Sequence, residues 1–451
     1  MAKNRRIEKQ RLDHLQEVLD SGALREAGRM LNALHPAEAA HLLESLPQAE
    51  REIVWGLVNE EQDGEILLYL SDEVRDGLIQ KMDLQELLAA AENLDLDDLA
   101  DLLQELPRTI TRQVLDSLDY QYRSRLESVL HYPEDTAGGL MNLDIVTVRP
   151  EVSLDVVLRY LRRLGGNLPA GTDSLIVINR ESQYLGTLSI TDLLTHDPGM
   201  IVAEVMKLRL APIPAETSAR DVANRFEQQD LISAPVVDGK GRVLGRITID
   251  DVVDVIREEG EHQFMGQAGL SGDEDMFAPV IASTKRRALW LGINLLTALL
   301  ASWVIGRFEH TIEKVVALAV LMPIVASMGG VAGTQTLTLA VRGLALGQIS
   351  GKNARVLLYK ELAVGVLNGL IWASVVALVA GFWFQNISIA LLIAAALVIN
   401  LAFAAFTGAV LPLLLDRIGI DPALAGGVLL TTVTDVVGFF AFLGLATLFL
   451  L

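Results

Sequence analysis

Apolar and polar positions alternate along the chain in four different rhythms. Across residues 5–132, Leu recurs at helical spacing in short stretches punctuated by Pro, Gly and Asp. The phrase from Leu34 to Pro47 is echoed from Leu94 to Pro107, and fainter echoes begin at Leu70-Ser71 and Leu118-Asp119, followed by Arg75 and Arg123. Repeated helical hairpins that bury a Leu face on their neighbours predict a small all-α solenoid. After Pro133 the rhythm shortens to β-branched runs, Ser174 to Ile178 and Ala234 to Val237, each followed by a Gly turn, a second run and a Ser/Thr/Asp-capped helix. A polar helix then runs from Ile249 to Leu270, with Gly260, Gly266 and Gly269 marking breaks or close packing towards its end. Five apolar stretches close the chain, at 288–305, 315–341, 356–384, 388–415 and 423–451. Crossing a bilayer takes about 20 residues at about 1.5 Å each, so each stretch suffices or nearly so.

The expected fold class is therefore a multi-domain membrane protein. It comprises a helical-repeat domain (1–133), two α/β copies (134–201 and 202–262), an acidic connecting helix and linker (249–284) and a five-helix transmembrane bundle (285–451).

Charge sharpens this division. Mean hydropathy is +0.37, yet charged residues make up 21% of the chain. The front 284 residues carry a net −24 and the remainder +4. An acidic front argues against nucleic-acid binding and for cations as partners. With no cysteine, disulfides and thiolate metal sites are excluded. Met1 to Arg6 lead into a polar amphipathic helix, so no cleaved signal peptide is expected. Lys285, Arg286 and Arg287 precede the first span; Arg342, Lys352, Arg355 and Lys360 surround the second turn, and Arg417 the fourth. The opposite loops hold only Arg307 and Lys314. The positive-inside rule then predicts an inner-membrane multi-pass protein with cytoplasmic front domains and an external C-terminus.

The chemistry centres on the last span. Asp435 lies near the middle of the run from Ala423 to Leu451. A carboxylate at that depth costs about 2.5–3.5 kcal/mol on insertion scales, and such groups face water, an ion or a partner. One reading is a protonated Asp bonded to a neighbouring helix. The other is an ion path, favoured by Thr431, Thr432 and Thr434 just upstream. In the second span, Gly329-Gly330-Val331-Ala332-Gly333 follows Pro323 at similar depth. The pattern predicts a helix break whose carbonyls line a cavity, small-residue packing, or both. Mg2+ prefers oxygen and keeps several waters. Asp435, Thr431, Thr432 and the Gly329 and Gly330 carbonyls fit a pore that takes such an ion. One carboxylate half-neutralises a 2+ charge, so two Asp435 residues facing across a homodimer axis would balance it.

Other acids are candidates for sensing. Asp250, Asp251, Asp254 and Glu258 share one stripe of the connecting helix, where like charges repel and invite a cation. Asp95, Asp97, Asp98 and Asp101 are either a solvated face or one wall of a cation site.

The tandem pattern Gly186-x-x-Ser189-x-x-Asp192 and Gly245-x-x-Thr248-x-x-Asp251 resembles paired CBS domains. In that family the hydroxyl and carboxylate contact an adenine nucleotide. The resemblance makes Ser189, Asp192, Thr248 and Asp251 candidates for ATP; alternatively they only cap helices.

The whole order resembles the MgtE family of Mg2+ channels. The matching phrases are Glu134 to Met141, Pro323 to Gln335, Asp421-Pro422-Ala423 and Thr431-Thr432-x-x-Asp435. The resemblance implies a homodimer whose pore uses the second and fifth spans, with Asp435 holding a hydrated ion. It further implies that cytoplasmic Mg2+ closes the pore by binding between repeat domain, CBS pair and connecting ("plug") helix. Asp250, Asp251, Asp254, Glu258 and Asp95 or Asp98 are the candidate ligands. Val331 stands where the family usually has Asn, which bears on selectivity among Mg2+, Co2+, Mn2+ and Ni2+. The expected function is Mg2+ uptake through a Mg2+-gated channel. The alternatives are an ion-coupled divalent cation transporter and a nucleotide-regulated channel. No His/Cys/Ser constellation points to an enzyme; His14, His41 and His131 read as exposed or core residues.

Overall fold

The computed structural model describes residues 2–92, 94, 96–106, 108–169, 171–208, 210–270, 274–349 and 353–451. The chain forms two compact units, Met1–Gly260 with Asp273–Pro279, and Glu261–Gly272 with Val280–Leu451.

The first unit starts with short helices, from Ala2–Asp20 to Tyr120–Val129. The echoed phrases fold alike. Leu42, Leu43 and Leu46 are buried in the first, and Leu102, Leu103 and Leu106 in the second. Each fully buried Leu contributes about 1.5–3 kcal/mol. Pro36 occupies the first turn of helix Pro36–Glu44, where its missing N–H costs nothing, and the His35 Nδ1 accepts from the Ala37 N–H at 3.3 Å.

Two three-stranded sheets follow, β1 (Thr147–Val148), β2 (Ser174–Ile178) and β3 (Tyr184–Ser189), then β4 (Ile213–Pro214), β5 (Ser233–Val237) and β6 (Val243–Thr248). In each, the first pair is parallel and the second antiparallel, with a register shift at Val177/Ile178 and Val236/Val237. The motif glycines owe their identity to close approach. A Cβ on Gly186 would lie 2.6 Å from the Lys207 carbonyl, and one on Gly245 2.6 Å from the Asn142 carbonyl. Thr187 and Lys207 exchange two backbone hydrogen bonds, as do Arg246 and Asn142. Each copy's outer edge is thus completed by the segment leading into the other copy. The core reflects this: Ala137 and Met141 pack with Ile213, Phe226 and Ile247 of the second copy and with Leu126 and Val129 of the repeat helices. The first copy has a core of its own around Leu154, Val177 and Leu188.

The second unit holds five helices long and apolar enough to cross a membrane: Val280–Gly306, Ala317–Ala345, Ala354–Phe384, Ile387–Arg417 and Pro422–Leu450. A short helix, Glu309–Lys314, joins the first two spans. The fourth span is the most enclosed. Its contacts use small residues, as helix pairs in lipid do. A Cβ on Gly408 would meet the Gly333 carbonyl at 2.7 Å, one on Gly369 the Val398 Cα at 3.1 Å, and one on Gly365 the Ala405 Cβ at 2.6 Å.

The expected break in the second span is not there. Ala317–Ala345 is one continuous α-helix with Pro323 inside it. Gly329 and Gly333 instead admit Asn400 and Leu430, and because the helix is continuous the Gly329 and Gly330 carbonyls stay within its ladder.

Candidate functional site

Three residues of the fifth span carry the proposed ion chemistry. Thr431 is exposed within the single chain, while Thr432 and Asp435 are half-buried. Thr431 and Asp435 are separated by one turn and share a face, with Thr432 at its flank. Thr434 points the other way and is fully buried. All three hydroxyls donate to carbonyls of their own helix: Thr431 to Gly427 at 3.1 Å, Thr432 to Val428 at 2.7 Å and Thr434 to Thr431 at 3.0 Å. Of these, Thr431 and Thr432 keep oxygen lone pairs on the accessible side. Among the described residues no group hydrogen-bonds or ion-pairs with the Asp435 carboxylate.

On the second span the exposed positions include Ser327, Thr334, Gln335 and Thr338. Ser327, Thr334 and Thr338 share one face at helical spacing. Val331 lies on it too, 58% exposed. Gly329 is buried and Gly330 half-buried. A Cβ on Gly329 would sit 2.4 Å from the Asn400 amide nitrogen, whereas one on Gly330 would meet nothing within 4 Å.

Asn400 went unnoticed in the sequence. It is wholly buried in the fourth span, and its amide donates to the Val325 carbonyl at 2.8 Å. Among the described residues its own oxygen has no hydrogen-bond partner. Gly329 and Gly438 flank it; a Cβ on Gly438 would lie 2.7 Å from its amide nitrogen. An Asn amid an apolar helix was the available signal. Glu361 also differs from expectation. It reads as a span-end acid in the sequence, yet it is 3% exposed. It accepts from Thr336 at 3.1 Å and from Lys360 at 2.6 Å. The third span begins at Ala354, two turns earlier than Glu361, which carries that carboxylate inward.

The candidate sensor acids converge only in part. Burial, and after it the fields of Asp254, Asp98, Glu65 and Asp250, push the Tyr69 hydroxyl above its ordinary range. Acids of the repeat helices and of the connecting helix Ile249–Gly266 therefore lie around one tyrosine. Asp254 also has Arg257 at 3.6 Å, and Glu259 has Arg220 at 2.8 Å. Among the described residues no group of three or more carboxylates or imidazoles is arranged to hold a metal ion. Asp251 and Glu258 lie on the same helix, whereas Asp95 lies outside the described residues.

The CBS motif residues fold back on themselves. The Ser189 hydroxyl bonds the Asp192 carboxylate at 2.6 Å and caps the following helix. Lys207 adds a 2.7 Å contact, and Lys207 and Ser189 hold the Asp192 carboxyl below the usual range. The Thr248 hydroxyl donates to Asp251 at 3.0 Å.

One further anchor was invisible in the sequence, and a second falls on glycines read there as breaks or close packing. Arg51 is buried; its guanidinium donates to the Leu43 and Leu46 carbonyls and grips Asp275 at 2.8 and 3.0 Å. Within the second unit, Gly266 lies against Ala423 and Leu424, and Gly269, at φ +70°, lets the chain pass over Trp290.

Comparison with known proteins agrees with this layout. A family model described as "Divalent cation transporter" matches residues 322–445, one described as "MgtE intracellular N domain" matches 34–135, and the CBS domain matches 137–199 and 202–258. "Magnesium transporter MgtE" of Thermus thermophilus is 32% identical over 97% of this chain and 98% of its own length. The chain belongs to the MgtE family of magnesium transporters. The Bacillus subtilis MgtE is 27% identical, with 96% of each chain covered. The cytosolic domain of an MgtE Mg2+ channel, solved with ATP, is 33% identical over 54% of this chain and 99% of that one, with a TM-score of 0.49. As an MgtE relative with five apolar helices, this is a multi-pass membrane protein. The segment matched to the transporter model contains Asn400, Glu361 and Asp435 together.

Proposed function

We propose that this MgtE relative is a Mg2+ channel that mediates uptake. It works as a homodimer whose two Asp435 carboxylates share one hydrated ion. The carrying observation is Asp435 itself, mid-span, half-buried and unpartnered among the described residues. A carboxylate left so in lipid is costly, and a second copy with a wet 2+ ion relieves it. The exposed hydroxyls of Ser327, Thr334 and Thr338 support a second-span contribution to the same route.

Gating is read from charge. Mg2+ between the repeat helices and the connecting helix would neutralise Asp98, Asp250 and Asp254 together, with Asp251, Glu258 and Asp95 as further ligands. At low Mg2+ those acids repel, the cytoplasmic front loosens and the pore opens. Thr248 and Asp251, with Ser189 and Asp192, are proposed to take an adenine nucleotide such as ATP. Calorimetric titration of the full chain with ATP, wild type against Asp251→Ala, tests that separately.

The channel test is flux and single-channel current in liposomes. Stepwise Mg2+ currents, abolished by Asp435→Asn and suppressed by millimolar Mg2+ on the front-domain side, are expected. Exchange-limited uptake without unitary currents would establish a coupled transporter instead. Because the chain has no cysteine, Thr334→Cys reports on the dimer. An oxidant should link two copies through it; a monomer under all oxidising conditions overturns the shared-ion arrangement.

A further inference from the structure

We propose that a cavity at one end of the second, third and fourth spans binds the headgroup phosphate of an anionic lipid. The cavity encloses about 360 Å3, within the range of small-ligand sites, about 300–1,000 Å3. Arg355, in the first turn of the third span, and Arg417, the last residue of the fourth, both line it. Among the described residues neither guanidinium has a hydrogen-bond or ion-pair partner. Leu358, Val410 and Leu413 form its apolar wall, and Asp416 is the one acid in the lining.

The placement fits one chemistry. Both arginines stand where spans end, while the leucines and Val410 continue inward along the apolar helices. A guanidinium offers a planar fork of donors to phosphate oxygens. The first free N–H groups of the third span add positive potential at the same rim. The floor is fixed: the chain turns at Gly347, φ +61°, two residues past the end of the second span, and Ile349 folds back onto Gly343, where a Cβ would sit 2.7 Å from Ile349. A phosphate on the arginines with acyl carbon along the apolar wall uses every side of the cavity. Basic pockets between spans bind anionic headgroups in this way.

The test is native mass spectrometry of the full-length, delipidated protein. It is titrated with phosphatidylglycerol, with phosphatidylcholine of the same acyl chains, and with inorganic phosphate as competitor. Phosphatidylglycerol should bind roughly tenfold more tightly than phosphatidylcholine. Arg355→Ala with Arg417→Ala should erase that preference, and Arg307→Ala should keep it. Asp416→Asn, which removes the opposing charge without shortening the side chain, should tighten phosphatidylglycerol about fivefold, so the site is testable even if the double variant folds poorly. Equal binding of both lipids, or no response to Asp416→Asn, would overturn the proposal. Full displacement by millimolar phosphate would make it a free-anion site and overturn the lipid assignment.

Discussion

His262 Nε2 lies 2.6 Å from Oδ2 of Asp421. The same carboxylate uses Oδ1 to accept the Ala423 N–H at 2.8 Å, which caps the fifth span. One side chain thus starts the helix that carries Asp435 and holds the last turns of the connecting helix against it. Asp421→Ala should lose both contacts, about 1 kcal/mol for the cap and up to about 1 kcal/mol for the half-exposed pair. His262→Ala should lose only the second. Thermal unfolding of the two variants in detergent checks the order; equal losses would mean the cap contributes nothing.

Arg51 and Asp275 form a bidentate pair with both side chains nearly inaccessible, at 5% and 6%. Removing one partner of a buried pair strands a charge, so Arg51→Ala should cost about 3–5 kcal/mol. Arg51→Ala combined with Asp275→Ala should cost less than the separate losses added. A double-mutant cycle on denaturant unfolding measures the coupling.

Asp63 is buried, and among the described residues its Oδ1 has no hydrogen-bond partner. Burial first, then Glu60 and Glu86, raise its pKa to about 6. A raised folded value means the fold prefers the protonated acid. Its contribution is full below the unfolded pKa, about 4, and is lost as pH rises through about 6. Asp63→Asn should therefore stabilise the repeat helices by about 1 kcal/mol at pH 7.5, after allowance for solvent screening, and change little at pH 4. Unfolding at both pH values decides it.

Gly329→Ala and Gly438→Ala each drive a methyl into the Asn400 amide. Overpacking of this kind costs about 1–3 kcal/mol. Asn400→Ala should be destabilising alone yet rescue either glycine variant, because it removes the group they strike. Failure of rescue in a thermal-shift assay would place the strain elsewhere.

The elements were largely legible because their rhythms are local. β2, β3, β5 and β6 fall on the β-branched runs, and the five spans lie within a few residues of the hydropathy runs except at the first, which starts at Val280. What escaped depends on contacts across the chain. Asn400, Arg51 and Asp275 have no periodic signature, and nothing local to Glu361 shows that Thr336 of the second span meets its carboxylate. Pro323 and Gly329 read as a break, yet the helix runs through. Glycine there admits Asn400, whose amide bonds Val325, a tertiary reason that propensity does not contain. Of the site itself, Thr431 and Thr432 could be placed beside Asp435 by spacing, whereas the inward turn of Thr434 required the packed neighbours.

The crossed edges of the CBS pair carry a consequence for biosynthesis. Asn142 emerges from the ribosome long before Arg246, its backbone partner. Until the second half is made, that strand end is an open seam, and exposed seams recruit stray strands. Translation pauses or truncations between Lys207 and Arg246 should leave an aggregation-prone nascent chain, and neither half expressed alone should replace the tandem.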